Sequence, residues 1–275
     1  INISPETKVG KIEDWDAQKF IKGEVDTYYI GEDSISRENL QQYLTQTGFT
    51  VASNGVLYRN DVVGCIPGVL DLWFKQRVEF RKLEKKYGQE GDQEKYAFYG
   101  KRQLVQKILL NSLYGVLGLP AFRFYDLDNA EAVTLTGQTV IKSTADMANL
   151  KYNKELGTPG DDHNIYIDTD SVFFSAVPLM NKRYPDWKTK DQDTIASYVD
   201  AIAGDVQDYL NNFYDILSVK VFNVPADKHR LEIKKEFVAK AGLWVAKKRY
   251  AQWIIMNNGV PMDKLDVKGL DVKRS

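Results

Sequence analysis

Tyr166-Ile167-Asp168-Thr169-Asp170-Ser171 lies between two apolar, β-prone runs, Ile165 to Ile167 and Val172 to Phe174. Two such runs joined by a short polar center predict a β-hairpin with carboxylates at its tip. Paired aspartates on such a tip can hold divalent ions. Mg²⁺ favors carboxylate oxygens plus substrate phosphates, and two ions roughly 3.5–4 Å apart can clamp the attacking and leaving oxygens of an in-line displacement. The same residues also suit an ordinary acidic turn, because Asp and Ser hydrogen-bond locally. The stretch alone leaves both readings open.

Upstream, Lys107-Ile-Leu-Leu-Asn111-Ser112-Leu113-Tyr114-Gly115 closes a long helical pattern running from about Asp92 to Gly118. Lys107, Asn111 and Tyr114 recur at i, i+4 and i+7 and therefore share a face. A cation, an amide and a phenol in a row can meet a triphosphate, a base edge and a base-pair surface. Such a face can equally be a solvated one.

Taken together, the two motifs resemble the family B (α-like) DNA polymerases, in which a K-x-x-x-N-S-x-Y-G helix precedes a Y-x-D-T-D-S hairpin. Arg102-Gln103 extends the first motif to the family's R-Q-x-x-x-K, and Lys247-Lys248-Arg249-Tyr250 matches its K-K-R-Y element. Three motifs in the right order make chance agreement negligible. Within the family the chain is similar to the replicative polymerases of T-even-type bacteriophages. Asn2-Ile3-Ser4-Pro5-Glu6-Thr7, Phe122-Arg123-Phe124-Tyr125-Asp126 and Thr136-Gly137-Gln138 carry that likeness. Residues 20–60 and 175–225 match only weakly, and the segment expected as the fingers is shorter than in the phage enzymes.

The resemblance implies an α+β fold: a polymerase palm with an antiparallel sheet and packed helices, plus an inserted α-helical hairpin, the fingers. Residues 1–66 are expected as the N-terminal part of the palm, 67–118 as the fingers, and 119–275 as the palm with the Asp-Thr-Asp hairpin and the Lys-Lys-Arg-Tyr element. It further implies DNA-directed DNA synthesis, with deoxynucleotides passed from dNTPs to a primer 3′-hydroxyl by two Mg²⁺ ions, for which Mn²⁺ can substitute. Asp170 is the expected metal ligand. Asp168 is the hairpin's other carboxylate, its direct contact left open, and Glu236 is an accessory carboxylate with Glu232 as rival. Arg77, Arg81 and Lys107 are expected to grip the triphosphate, with Asn111 and Tyr114 lining the nascent base pair. Lys247, Lys248, Arg249 and Tyr250 are expected on the primer-template DNA.

The family's first catalytic motif, D-x-x-S-L-Y-P-S, is absent from these residues, as is an Asp-x-Glu proofreading motif. The chain opens at Ile1 where the first motif should have finished, and Lys268-Gly269-Leu270-Asp271-Val272-Lys273-Arg274-Ser275 resembles the last palm element before the thumb. These ends read as those of an excerpt from a larger polymerase. Its expected partners are then the exonuclease, first motif and thumb of the parent, with a sliding clamp held through absent regions. A non-catalytic DNA- or nucleotide-binding fragment is the alternative. A phosphohydrolase would need a further His or Asp cluster, and only His163 and His229 are available. A reverse transcriptase would carry adjacent aspartates.

Composition agrees with a globular chain: 275 residues, 43% hydrophobic and 27% charged. No apolar run reaches the ~18 residues of a membrane span and no signal peptide opens the sequence. Cys65 is the single cysteine, which excludes an internal disulfide and fits a reducing cytoplasm, the host's if the source is viral; flanked by Val63-Gly64 and Ile66 it reads as a small buried residue. The net charge of −1 argues against a general nucleic-acid coat, although Lys234, Lys235, Lys240, Lys247, Lys248 and Arg249 form a local basic cluster.

Along the chain, the pattern predicts one helical piece near Arg37 to Gln46 and a hairpin over Val51 to Arg59. Helices are expected from Gly68 to Tyr87, opened by Pro67 and broken at Gly88 to Asp92, then to Gly118, over Leu127 to Tyr152 behind the aspartate hairpin, and over Thr194 to Phe213. Leu231 to Phe237 and Leu243 to Ile255 read as strands, with a turn at Asn257-Asn258-Gly259.

Overall fold

The computed structural model describes residues 1–270. The chain divides into two compact units, one built from Ile1–Thr136 with Ser218–His229, the other from Gly137–Leu217 with the chain from Arg230 on. Antiparallel sheets and packed helices make up both, as an α+β reading requires.

In the first unit, β1 (Lys8–Glu13), α1 (Ala17–Lys22), β2 (Thr27–Ile30), β3 (Asp33–Ser36), α2 (Arg37–Thr47), β4 (Thr50–Val51) and β5 (Val56–Tyr58) precede two long helices. The five strands form an antiparallel sheet in the order β3-β2-β1-β5-β4. The expected hairpin at Ser53-Asn54-Gly55 joins β4 to β5. The second helical piece, α1, escaped the periodicity because it is so short. Its start is fixed by Asp16, whose Oδ1 accepts from Gln18 N at 2.8 Å and Lys19 N at 3.1 Å. Tyr58 is fully buried beside Val56 and Ala132, and its hydroxyl donates to Asn129 Oδ1 at 2.7 Å.

Two helices, α3 (Cys65–Glu90) and α4 (Gln93–Leu117), form an antiparallel hairpin. Ring pairs Phe80–Tyr99 and Tyr87–Tyr99 and a 2.7 Å hydrogen bond from Gln106 Nε2 to Gln76 Oε1 hold them together. Pro67 does lie in the first turn of α3, but the helix begins earlier, at Cys65. Its cap comes from far away in sequence: Ser4 Oγ accepts from Ile66 N at 3.3 Å and Glu6 Oε1 accepts from Cys65 N. Cys65 itself is exposed, because its place at the first helical position turns it outward and not into a core. The break also differs from expectation. Gly88 stays helical, and the left-handed residue that stops α3 is Gly91, followed by Asp92 capping Lys95 N at 3.0 Å.

Helix α5 (Leu127–Leu156) begins in the first unit and ends in the second. There, β6 (Asn164–Asp168) and β7 (Ser171–Phe174) pair as the expected hairpin, followed by α6 (Val177–Arg183) and α7 (Gln192–Lys220). Ala148, Tyr152, Leu179, Met180, Ile202, Val206 and Leu210 form the core of this unit. Ile202, Val206 and Leu210 thus line the inner face of α7, with Ile195, Tyr198 and Val199 packed against the same core. Tyr152 stacks on Phe174 at 5.9 Å, so α5 does pack behind the β6–β7 hairpin. Arg183 grips Glu155 through two bonds of 2.6 and 2.7 Å and also reaches Asp205 at 2.8 Å.

A three-stranded sheet, β8 (Phe237–Ala246), β9 (Arg249–Asn257) and β10 (Val260–Lys268), completes the described chain. Two strand expectations fail here. Residues 231–236 are not a strand, because side chains of α7 satisfy their backbone: Asn211 bonds Ile233 N and O at 2.9 and 3.1 Å, and Gln207 Oε1 accepts from Lys235 N at 2.9 Å. Leu243 to Ile255 is not one strand but parts of two, reversing at Lys247-Lys248. That turn has no Asn or Gly to announce it, and Lys248 takes a left-handed φ of 60°. The turn at Asn257-Asn258-Gly259 joins β9 to β10 as expected. Within the resemblance read at the C-terminal end, Asp271–Ser275 lies outside the described residues.

Candidate functional site

Cross-strand pairing of Asp168 with Ser171 leaves Thr169 and Asp170 as the tip of the β6–β7 turn. Thr169 adopts φ 51°, and the carbonyl of Asp168 accepts from Asp170 N at 2.6 Å and Ser171 Oγ at 3.0 Å. Thr169 Oγ1 donates to Asp168 Oδ1 at 3.0 Å, which orients that carboxylate. Asp170 stands exposed at the end.

The Lys247-Lys248 turn meets this hairpin. Lys248 Nζ lies 3.9 Å from Asp168 Oδ1, and Lys248 N donates to the Tyr166 hydroxyl at 2.7 Å. An aromatic cluster fixes the contact from below: Tyr166 packs on Tyr250 at 5.4 Å and on Phe173 at 5.8 Å, and Phe173 reaches Trp244 and Phe237 at 5.9 and 5.8 Å. Burial, then the nearby Asp168 carboxylate, raises the Tyr250 phenol above its ordinary value, so it stays a protonated donor at neutral pH. Gly269 supports the turn from the β10 side. It has φ 59°, and a Cβ there would stand 2.3 Å from the Lys248 carbonyl oxygen. Only glycine allows that approach.

Asp168, Lys248 and Tyr250 are therefore brought together, with Lys247 and Arg249 exposed beside them. Glu236 precedes β8, and its backbone carbonyl accepts from Asn258 N at 2.7 Å. The rival Glu232 is drawn into an ion pair with Lys234 at 3.1 Å. Among the described residues, no three His, Cys, Asp or Glu side chains gather to hold a metal ion. The donors at the hairpin tip are nonetheless hard carboxylate oxygens, one oriented and one free toward solvent. That set fits Mg²⁺, which commonly takes one or two carboxylates and completes its shell with water and phosphate oxygens.

The other expected residues sit on the α3–α4 hairpin of the first unit. Lys107, Asn111 and Tyr114 are exposed along one face of α4, and Arg81 is exposed on α3. Arg77 is half-buried, and its Nε, shielded from solvent, finds no acceptor among the described residues. A guanidinium held ready without a carboxylate partner is suited to an anionic ligand. Two contributors went unread in the sequence: the Tyr166 hydroxyl as acceptor for the basic turn, and Ser4 with Glu6 as caps of α3. The alternating aromatics Tyr166, Phe173, Trp244 and Tyr250 were the available signal for the first; nothing local announced the second.

The model of DNA polymerase family B matches residues 21–186, a span holding the α3–α4 hairpin and both hairpin aspartates. The chain belongs to DNA polymerase family B. It is similar to the DNA-directed DNA polymerase of Escherichia phage RB69, 30% identical over 184 residues, covering 63% of this chain and 20% of that protein. It is also similar to the DNA-directed DNA polymerase of Enterobacteria phage T4, 32% identical over 169 residues, covering 54% and 17%. These two phage relatives agree with the T-even likeness read from the motifs. Among solved structures, that of the family B DNA polymerase from Pyrobaculum calidifontis matches 98% of this chain and 25% of its own at 23% identity, with a TM-score of 0.48. The family B chain thus spans about a fifth of the length of the curated phage relatives it matches. Among the described residues no helix is long and apolar enough to cross a membrane.

Proposed function

We propose that this chain is the palm-and-fingers core of a template-directed DNA polymerase. In this reading residues 67–118 are the fingers, and 1–66 and 119–275 belong to the palm. The observation that carries it is the junction of the β6–β7 hairpin with the Lys247-Lys248 turn, where the Asp168 carboxylate, the Lys248 ammonium and the Tyr250 phenol meet. A carboxylate for metal and a cation plus phenol for a nucleic-acid strand are useful side by side only where a strand terminus is the reactant.

Each residue then has a task. Arg77, Arg81 and Lys107 hold the triphosphate of an incoming dNTP, and Asn111 and Tyr114 border the new base pair. Lys247, Lys248, Arg249 and Tyr250 position the primer end of the primer-template. Asp170 and Asp168, with Glu236 accessory, would hold Mg²⁺; when bound, such ions neutralize charge on the transferring phosphoryl group and orient the entering and leaving oxygens. Most of the catalytic effect in such a transfer is positioning and electrostatic stabilization, which suits a site built from fixed cations and carboxylates. The first-motif carboxylate, the exonuclease, the thumb and any clamp contact would come from further polymerase segments.

The test is a graft. Spliced in frame in place of the matching segment of the phage RB69 polymerase, the chain should support primer extension with Mg²⁺, while the 275-residue chain by itself shows none. A folded chimera that binds primer-template but never extends it would refute the catalytic reading in favor of a DNA- or nucleotide-binding fragment.

A further inference from the structure

Toward the closed end of the α3–α4 hairpin lies a groove of about 480 Å³, lined by Val78, Arg81, Lys82, Glu84, Lys85 and Tyr96. It lies on the same side of α4 as Lys107, about three helical turns nearer the hairpin's turn. Its chemistry is lopsided: three cations line it against one carboxylate. No ion pair among the described residues occupies Arg81, Lys82 or Lys85, whereas the neighboring Lys86 and Lys95 are paired to Glu90 and Asp92. Glu84 is turned onto the hairpin's own backbone, its Oε1 2.9 Å from where a Cβ on Gly100 would stand.

Tyr96 gives the groove its second character. The ring lies against Gly88, where a Cβ would meet Tyr96 Cδ2 at 3.1 Å and Cε2 at 3.3 Å. Gly88 sits inside a helix, at a cost of about 1 kcal/mol relative to alanine, and what it permits is this close seat for the ring. Tyr96 is nevertheless 43% exposed, and Val78 beside it 38%. A fixed, half-open aromatic face bordered by unpaired cations is the pattern that binds single-stranded nucleic acid, with bases stacking on the ring and phosphates meeting the cations. A merely solvated lysine face needs no aromatic seat.

We propose that this groove is a binding site for single-stranded nucleic acid, with one base on Tyr96 and adjacent phosphates on Lys82 and Lys85. It adjoins Arg81, which the polymerase reading gives to the triphosphate, but Lys82, Lys85 and Tyr96 carry no task in that reading. In a polymerase it would hold unpaired template away from the primer end.

The experiment uses the 275-residue chain with a fluorescein-labeled twelve-nucleotide oligothymidylate, titrated across salt concentrations. K82A/K85A should weaken binding and lower the slope of log K against log salt by about 1.4, two phosphates at roughly 0.7 each for a single strand. Y96A should weaken binding at least about fivefold with the slope unchanged, and Y96F should restore it. An oligonucleotide carrying 5-iodouracil should photocrosslink to Tyr96. Crosslinks confined to Lys247–Tyr250, or an unchanged affinity and slope for K82A/K85A, would overturn the proposal. Displacement of the oligonucleotide by equimolar dTTP would overturn it in favor of a free-nucleotide site. Binding is read here without catalysis, so its failure would leave the polymerase reading standing, and a dead chimera would leave this site standing.

Discussion

Tyr166 does two jobs that its place in the Tyr-x-Asp motif does not advertise. Its ring joins β6 to β9, and its hydroxyl accepts from the Lys248 N–H in the left-handed turn. Tyr166→Phe keeps the ring and removes the acceptor, so it should cost about 1 kcal/mol and speed hydrogen exchange at the Lys248 amide; unchanged exchange there would show that the bond does not hold the turn. Gly269→Ala acts on the same turn from its other side. The added methyl meets the Lys248 carbonyl at a left-handed φ, and the loss should exceed about 1 kcal/mol in denaturant unfolding. In the chimera, Lys248→Ala should weaken primer-template binding and reduce its salt slope by about 0.9, without raising the KM for dNTP; a KM effect alone would place Lys248 on the nucleotide.

Among elements, α3 depends on a segment distant in sequence. Burial raises the Glu6 carboxyl, but hydrogen bonds from Cys65 N and Ser4 Oγ outweigh it and hold the group below its usual 4.5. The sign follows: a carboxyl depressed on folding stabilizes the helix start above its unfolded value, and that contribution is lost as pH falls through the folded value. Protection of the Cys65 and Ile66 amides relative to their intrinsic exchange rates should therefore fall on acidification below about pH 4.5, and Glu6→Gln should abolish that pH response. No response in the parent chain would disprove the cap. The elements themselves were legible to different degrees. The α3–α4 hairpin, α7 and the β6–β7 turn announced themselves through periodicity and turn residues. Residues 231–236 did not, since a strand-like pattern was overridden by Asn211 and Gln207 on α7. The Lys247-Lys248 reversal was hidden because its left-handed residue is a lysine, stabilized by a tyrosine from another hairpin.

For the whole molecule, motif order was the readable quantity. Asp168 and Asp170, Lys107 to Tyr114, and Lys247 to Tyr250 point to the family as short strings in a fixed order. What brings Asp168 to Lys248, by contrast, is the aromatic packing of Tyr166, Phe173 and Tyr250, and packing partners far apart in sequence leave no local trace. The central claim is that the hairpin carboxylates act in nucleotide transfer, and one substitution addresses it. Asp170→Asn in the RB69 chimera keeps size and turn geometry while removing the charge that would bind Mg²⁺. The rate of single-nucleotide incorporation should fall by about a thousandfold or more, with primer-template affinity within about twofold of the unsubstituted chimera. Incorporation retained within about tenfold would contradict the account and return the hairpin to an ordinary acidic turn.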